Sequence, residues 1–532
     1  MGSSQDRHEP DEHLEGLRRR DVIKGTAAVG LSFATGTHAW GNAAEDPPPT
    51  ESALRNQIRE ENAQPGTRDW MLTNTRIDET TNWRCPWIEG YCSATSVRAC
   101  DTLKIMVSTN PVSKFSLEIY RTGYYAGAGG RLVKRFDSLT GITQSDPPIG
   151  ENRLRECQWE PSVELAIPDN WLSGVYLGKL TAEKEGLQSY VIFIVRDDRP
   201  CDFLFQCSDL TWTAYNRWPD KWSLYDDGKV KYYEDDKRQW HVGPDSGMVS
   251  LDRPYGSFCI PHMNDSSLAL GSGEYLLWEF PLAYWMEQHG YDVSYISNVD
   301  THADGPGLQR AKGFISVGHD EYWTREMYDN VSAARDAGVN LAFLCGNSVF
   351  GVVPLLPSTD ERPQRIIKRE NWFFSEEASQ ALQKHYGFQF EYPPGPDAGL
   401  LVGGRMGGVG TGDWICTNPE HWIHDGTDMK KGDTIEGLIG WEWHGFPARD
   451  LPGLEVLAQS NMKTKRPKPP HAATIYDGPK NNIVFNAGTI WFPQALSSPP
   501  GHVLPKGKAT SPKGVDPRVQ RMLTNLFDRF TG

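Results

Sequence analysis

Gly313-Phe314-Ile315-Ser316-Val317-Gly318-His319-Asp320-Glu321-Tyr322-Trp323-Thr324 decides the fold. Its first five residues form a short, nearly all-apolar run, as expected for a strand buried on both faces in a parallel sheet. Thr324 can cap a helix over 324–337, which Gly338 stops. Between strand and helix, five chemically active or aromatic side chains follow one another. The same alternation recurs on either side. Residues 202–206, 292–296 and 340–344 read as buried strands, and 274–289 reads as a helix with Leu277, Phe280, Tyr284 and Trp285 on one face. Strand, helix, strand, helix, strand predicts a doubly wound parallel sheet. A strand at 482–485 and a helix at 517–530 complete it. A Gly- and Trp-rich insertion over about 361–470 interrupts the rhythm and is expected as strands and loops over the carboxyl edge of the sheet.

Upstream, 70–198 has a different texture. Strand-like runs at 103–108, 115–121 and 190–195, with 171–177 leading into another, are separated by turn residues, among them Glu183-Lys184-Glu185-Gly186. They predict an antiparallel β-sandwich, so the whole is α/β plus β, with an α/β domain over 199–532. Gly123 to Gly130 is glycine-rich, but no strand follows in the register that dinucleotide binding requires, and it reads as a structural loop. Residues 45–69 read as a linker.

The first 44 residues read as an address. Arg18-Arg19-Arg20, then Asp21-Val22-Ile23-Lys24, a weakly apolar run from Gly25 to Gly36 and small residues at Gly41-Asn42-Ala43 resemble a bacterial twin-arginine signal. The expectation is export to the periplasm or medium in folded form; the alternative is a basic tail. No other stretch approaches the roughly 18 apolar residues of a membrane span. Nine cysteines include no Cys-x-x-Cys, which speaks against structural zinc. In an oxidising compartment some should pair, with Cys85, Cys92, Cys100 and Cys157 the N-terminal candidates. A net charge of −15 disfavours a nucleic-acid partner, because phosphate binding needs a basic face.

Ligands of an open parallel sheet bind outside the carboxyl ends of its strands. Three loops leave such ends: 318–323, 345–348 and 486–489. In the first, His319 suits general acid–base work and Glu321 would do so if burial raised its pKa; a polar loop before a helix can also merely cap it. In the second, Cys345 sits where a strand-to-helix elbow would expose a nucleophile, as in class I glutamine amidotransferases, or where a small buried thiol would simply pack. The abundance of aromatics, 19 Trp and 20 Tyr, leaves a third reading, a non-catalytic carbohydrate or small-ligand binder.

Gly318-His319-Asp320-Glu321-Tyr322-Trp323 is similar to the His-x-Glu-Tyr-Trp loop of the N,N-dimethylformamidase large-subunit family. Tyr120 to Tyr125, Thr213-Ala214-Tyr215-Asn216, Trp285-Met286-Glu287, Gly290-Tyr291-Asp292, Gly346-Asn347, Gly440-Trp441-Glu442 and Phe485 to Ile490 resemble further family segments, in order, over roughly residues 85–530. The resemblance implies amide hydrolysis of a small molecule at a mononuclear ferric site made of two tyrosines and a glutamate. It puts Tyr322 and Glu442 among the ligands, with Tyr284 as the second tyrosine and Tyr275 and Tyr255 in reserve. His319, Glu321 and Asn347 would move protons or orient ligands. Hard anionic oxygens suit ferric iron better than zinc. Dimethylformamide itself is not implied, because a fold does not fix a substrate. The family enzyme works with a small second subunit; an accessory subunit and a homo-oligomer both stay open here.

Overall fold

The Ala311–Gly318 strand lies inside a seven-stranded sheet. The order across the sheet is Val293–Ser297, Cys201–Cys207, Ala311–Gly318, Asn340–Cys345, Ile483–Asn486, His471–Asp477 and Glu455–Ser460. The first five run parallel and the last two antiparallel. Cys201–Cys207 is buried along its whole length and Ala311–Gly318 nearly so. That is what apolar runs covered on both faces require. Taken in chain order, the parallel strands lie 2-1-3-4-5, so the order reverses between Cys201–Cys207 and Ala311–Gly318. A crevice opens at the carboxyl ends of such a pair.

This computed structural model describes residues 51–81, 83–226, 247–257, 267–386, 395–462, 468–507 and 509–532. The segment read as an export signal lies outside them. Among the described residues no helix is long and apolar enough to cross a membrane.

The helices follow the expected logic. Arg325–Ala337 is capped by Thr324, whose side chain accepts from the Met327 amide at 3.0 Å, and ends at Gly338. Pro517–Thr531 buries Val519, Met522, Leu523, Leu526, Phe527 and Phe530, a stripe at helical spacing. Its Phe527 ring stands 4.4 Å from that of Phe203. Residues 274–289 contain a π-helical turn, Tyr275–Glu279, before the α-helix Phe280–His289. The insertion departs from expectation at its end: Glu455–Ser460 and, just past the insertion, His471–Asp477 extend the main sheet instead of lying over it.

Residues 70–198 supply a five-stranded sheet, ordered Ser96–Val97, Gln188–Val195, Gly174–Ala182, Lys114–Thr122, Gly130–Thr140, and a three-stranded sheet, Glu89–Cys92, Thr102–Ser108, Pro161–Ala166. Arg121, at the end of its strand, forms a two-pronged ion pair with Glu287 on Phe280–His289, at 2.9 and 2.8 Å. Both side chains are fully buried. Asn62 and Tyr295 add hydrogen bonds to the same carboxylate at 2.8 and 3.0 Å. Arg121→Ala would strand that carboxylate in the interior, and a loss of about 3–5 kcal/mol is expected from denaturant unfolding. A change under 1 kcal/mol would show that the pair contributes little.

Two expectations are corrected. The segment 45–69 is not merely a linker, for Glu51–Asn62 is a helix whose Asn62 joins the Glu287 cluster. Its charged sequence hid a helix that docks through the buried Ile58 as well as Asn62. The N-terminal cysteines do not pair: Cys85, Cys92, Cys100 and Cys157 are all free thiols. Tyr91, not Cys92, points toward Cys157, with its hydroxyl 3.2 Å from the Cys157 carbonyl, and alternation along the strand turns Cys92 to the other face.

Candidate metal centre

The centre is built at the end of Ala311–Gly318. Gly318 has φ 68°, and a Cβ there would lie 2.6 Å from the Cβ of Trp278. Only glycine makes that turn cheaply. Beyond it, Asp320 folds back into the sheet, where its carboxylate accepts from Ser316, Gln206 and Asn298 at 2.7, 2.6 and 3.0 Å. Asp320 is thereby an anchor, and His319 and Glu321 on either side of it enter the crevice.

Glu321 is the hub. Tyr215, the last residue of the helix Asp209–Tyr215 that follows Cys201–Cys207, donates to its Oε2 at 2.7 Å. The Tyr225 hydroxyl lies 3.0 Å from Oε1 and 2.8 Å from the Tyr215 hydroxyl. Tyr322 stands one step out, its hydroxyl 2.5 Å from that of Tyr225 and 2.7 Å from the Arg369 guanidinium. On the other side, His319 Nδ1 meets Glu274 at 2.8 Å, while Nε2 faces Glu321 at 3.3 Å and Glu442 at 3.5 Å. Asn347 Nδ2 donates to Glu442 at 2.8 Å. The His319 ring is packed between Tyr215 and Trp441, with centroids 4.8 and 5.0 Å away. Every one of these side chains is buried.

Burial raises the hydroxyl pKa of Tyr215, Tyr225 and Tyr322, and the Glu321 charge adds to it; without a cation all three are neutral phenols. Glu442 is pushed up to about 7 by burial, against the pull of its His319 hydrogen bond. For His319 burial works downward, but Glu274 and the hydrogen bonds to Glu274, Glu321 and Glu442 outweigh it and hold the imidazole well above its usual value.

Two observations fit this donor set to a metal. The Tyr215 and Tyr225 hydroxyls and Glu321 Oε2 are 2.7 to 3.2 Å apart. Neighbouring corners of an octahedron with bonds of about 2.0 Å are separated by roughly 2.8 Å. His319, Glu321 and Glu442 also each offer a ligand atom, all within 4.8 Å of one another. Among the described residues, Asn347 Oδ1 is buried without a hydrogen-bond partner. A buried acceptor left open in this way marks space for something that donates or is positive.

Five of the six residues expected at the site are therefore together: His319, Glu321, Tyr322, Asn347 and Glu442. Tyr284 is not. It sits on Phe280–His289 with its ring against Tyr124 and Phe280, at 5.2 and 5.9 Å. Tyr275 and Tyr255 are also engaged elsewhere, with hydroxyls 2.9 Å from Thr122 and 3.1 Å from Thr213. The tyrosines that do converge, Tyr215 and Tyr225, were not picked out from the sequence as site residues, nor were Glu274, Arg369 and Trp441. Tyr215 had a signal, because it follows the strand at the point where the order reverses. Arg369, in the insertion, had none.

Cys345 is fully buried, with Sγ 3.5 Å from Ser316 Oγ, and burial pushes its thiol up to about 12. A thiol in that state is a poor nucleophile. Cys345→Ala is expected to retain activity within about threefold and to cost stability instead, on the scale of a lost buried group, about 1 kcal/mol. Inactivation of the native protein by iodoacetamide, abolished in Cys345→Ala, would contradict this. Among the described residues most Trp and Tyr side chains are buried, and the remainder are partly buried.

A family model described as N,N-dimethylformamidase beta subunit-like, C-terminal, matches residues 116–506. No curated protein matches the chain. Among solved structures, a family 123 glycoside hydrolase from Clostridium perfringens aligns at 10% identity over 48% of this chain and 69% of that one. The TM-score is 0.09.

Proposed function

The chain belongs to the N,N-dimethylformamidase beta subunit-like family, and from that premise and the convergence of Tyr215, Tyr225 and Glu321 we propose that it hydrolyses the C–N bond of a small amide at a mononuclear ferric centre held by those three residues. This assignment keeps the two-tyrosine, one-glutamate set that the resemblance implies and moves it to the residues whose oxygens meet. Tyr322 is left out because the Arg369 cation sits on its hydroxyl, where a metal ion would be repelled. Charge favours a trivalent ion. Glu274, Glu321 and Glu442 with two tyrosinates, set against Arg369 and a protonated His319, leave three negative charges in a buried site. A ferric ion neutralises them and a divalent ion does not.

An ion held there would supply a Lewis acid for the amide carbonyl and for an attacking water. The protein's own groups do the rest. Glu442, oriented by Asn347 and with a pKa near 7, takes the proton of the attacking water and returns it to the departing nitrogen. Water adds to the carbonyl carbon, the C–N bond breaks, and acid and amine leave. His319, fixed by Glu274, presents a positive N–H toward the oxygen on which negative charge develops. Tyr215 and Trp441 wall the imidazole from solvent.

The same reading includes export by the twin-arginine route, a β-sandwich domain over 70–198 and an amidotransferase-like α/β domain over 199–532, which the 2-1-3-4-5 strand order supports. The function is tested by assaying purified protein for amine release from a panel of N-alkyl formamides and acetamides. Turnover that disappears on iron removal and returns with ferric iron is expected. Turnover indifferent to chelation would overturn the reading.

A further inference from the structure

Tyr322 and Arg369 lie outside the three proposed ligands, yet both are buried beside them, at 0% and 2% exposure. The direction of their hydrogen bonds is fixed by chemistry. A guanidinium can only donate, so the Tyr322 oxygen accepts from Arg369 at 2.7 Å and its own proton is free to go to the Tyr225 oxygen at 2.5 Å. The phenol is held so that this donation is accurate. The Tyr322 amide donates to Thr211 Oγ1 at 3.1 Å, and the ring lies on Gly351, where a Cβ would come within 2.7 Å of Cε1.

Arg369 acts on Tyr225 a second time. Its guanidinium carbon lies 4.6 Å from the centroid of the Tyr225 ring, 5.6 Å from that of Tyr322 and 5.7 Å from that of Trp372. Among the described residues its Nε and Nη1 have no acceptor, so the cation is committed to Tyr322 and to these ring faces.

Resting on the ferric reading above, we infer that Tyr322 and Arg369 are positioning residues that tune one ligand: Arg369, through the Tyr322 hydroxyl and across the Tyr225 ring, withdraws electron density from the Tyr225 oxygen and fixes its direction. Such outer partners commonly change metal affinity or activity by about 10–100-fold when removed. Their effect on a phenolate ligand has a signature that packing alone lacks. A phenolate relieved of a donor and a nearby cation gives up an electron to ferric iron more easily, so its charge-transfer band moves to longer wavelength.

The test is the visible spectrum and iron content of wild type, Tyr322→Phe and Arg369→Met, with kcat measured alongside. Expected are undiminished iron in all three, a red-shifted band in both variants, and kcat lower by about 10–100-fold. Arg369→Met provides the same readout should Tyr322→Phe fold poorly. An unmoved band with iron retained overturns the inference and leaves the ferric centre standing. Loss of iron from Tyr322→Phe also overturns it, by making Tyr322 a ligand. A wild type with no such band overturns both.

Discussion

Glu321→Gln is expected to abolish iron binding and, with it, amide turnover by at least about 10³-fold, on the scale of removing a group essential to transition-state stabilisation. Glu321 touches both halves of the centre. Tyr215 and Tyr225 meet its carboxylate at 2.7 and 3.0 Å, and His319 Nε2 faces the oxygen that Tyr215 also meets, at 3.3 Å. The amide keeps the shape and removes the charge. Two tyrosines would then have to be deprotonated in a buried site with one anion fewer to hold the ion, against burial that already keeps them protonated. Metal analysis of the purified variant reads the first effect and amine release the second. Retention of iron at the wild-type level would show that Glu321 is not a ligand.

Glu442→Gln is expected to do the opposite: iron stays and kcat falls by about 10²–10⁴-fold, the usual cost of losing a general acid–base group. The argument rests on position. Glu442 reaches the centre from the insertion, is oriented by Asn347 at 2.8 Å, and faces the His319 imidazole at 3.5 Å, with no hydrogen bond to the phenols. A carboxyl group pushed up to about 7 can exchange a proton at neutral pH. Loss of iron together with activity would instead place Glu442 among the ligands, with His319 and Glu321 as its partners.

The main sheet was legible because its strands are nearly unbroken apolar runs, and the position of the site followed from where those runs end. That argument located the 318–323 and 345–348 loops, and so His319, Glu321, Tyr322 and Asn347. The tyrosines were harder, since tyrosine fills cores as readily as it binds metals. Tyr284 was chosen for its place on a helix with family-like neighbours, yet that helix faces the N-terminal sheets, where Tyr124 covers it. Tyr225 and Arg369 belong to irregular segments without periodicity, so their approach to Glu321 is a product of tertiary folding alone. The helix Glu51–Asn62 was missed for a related reason. Its sequence, ESALRNQIREEN, carries few apolar residues, and it docks through the buried Ile58 and the polar side chain of Asn62.

The account depends most directly on what the purified chain carries. Metal analysis with a visible absorption spectrum should find about one iron per chain and a tyrosinate-to-iron charge-transfer band, as hard anionic oxygens around a trivalent ion require. The band should weaken in Tyr215→Phe and in Tyr225→Phe and persist in Tyr284→Phe. Active protein free of iron, or a band lost in Tyr284→Phe and unchanged in the other two, would contradict it.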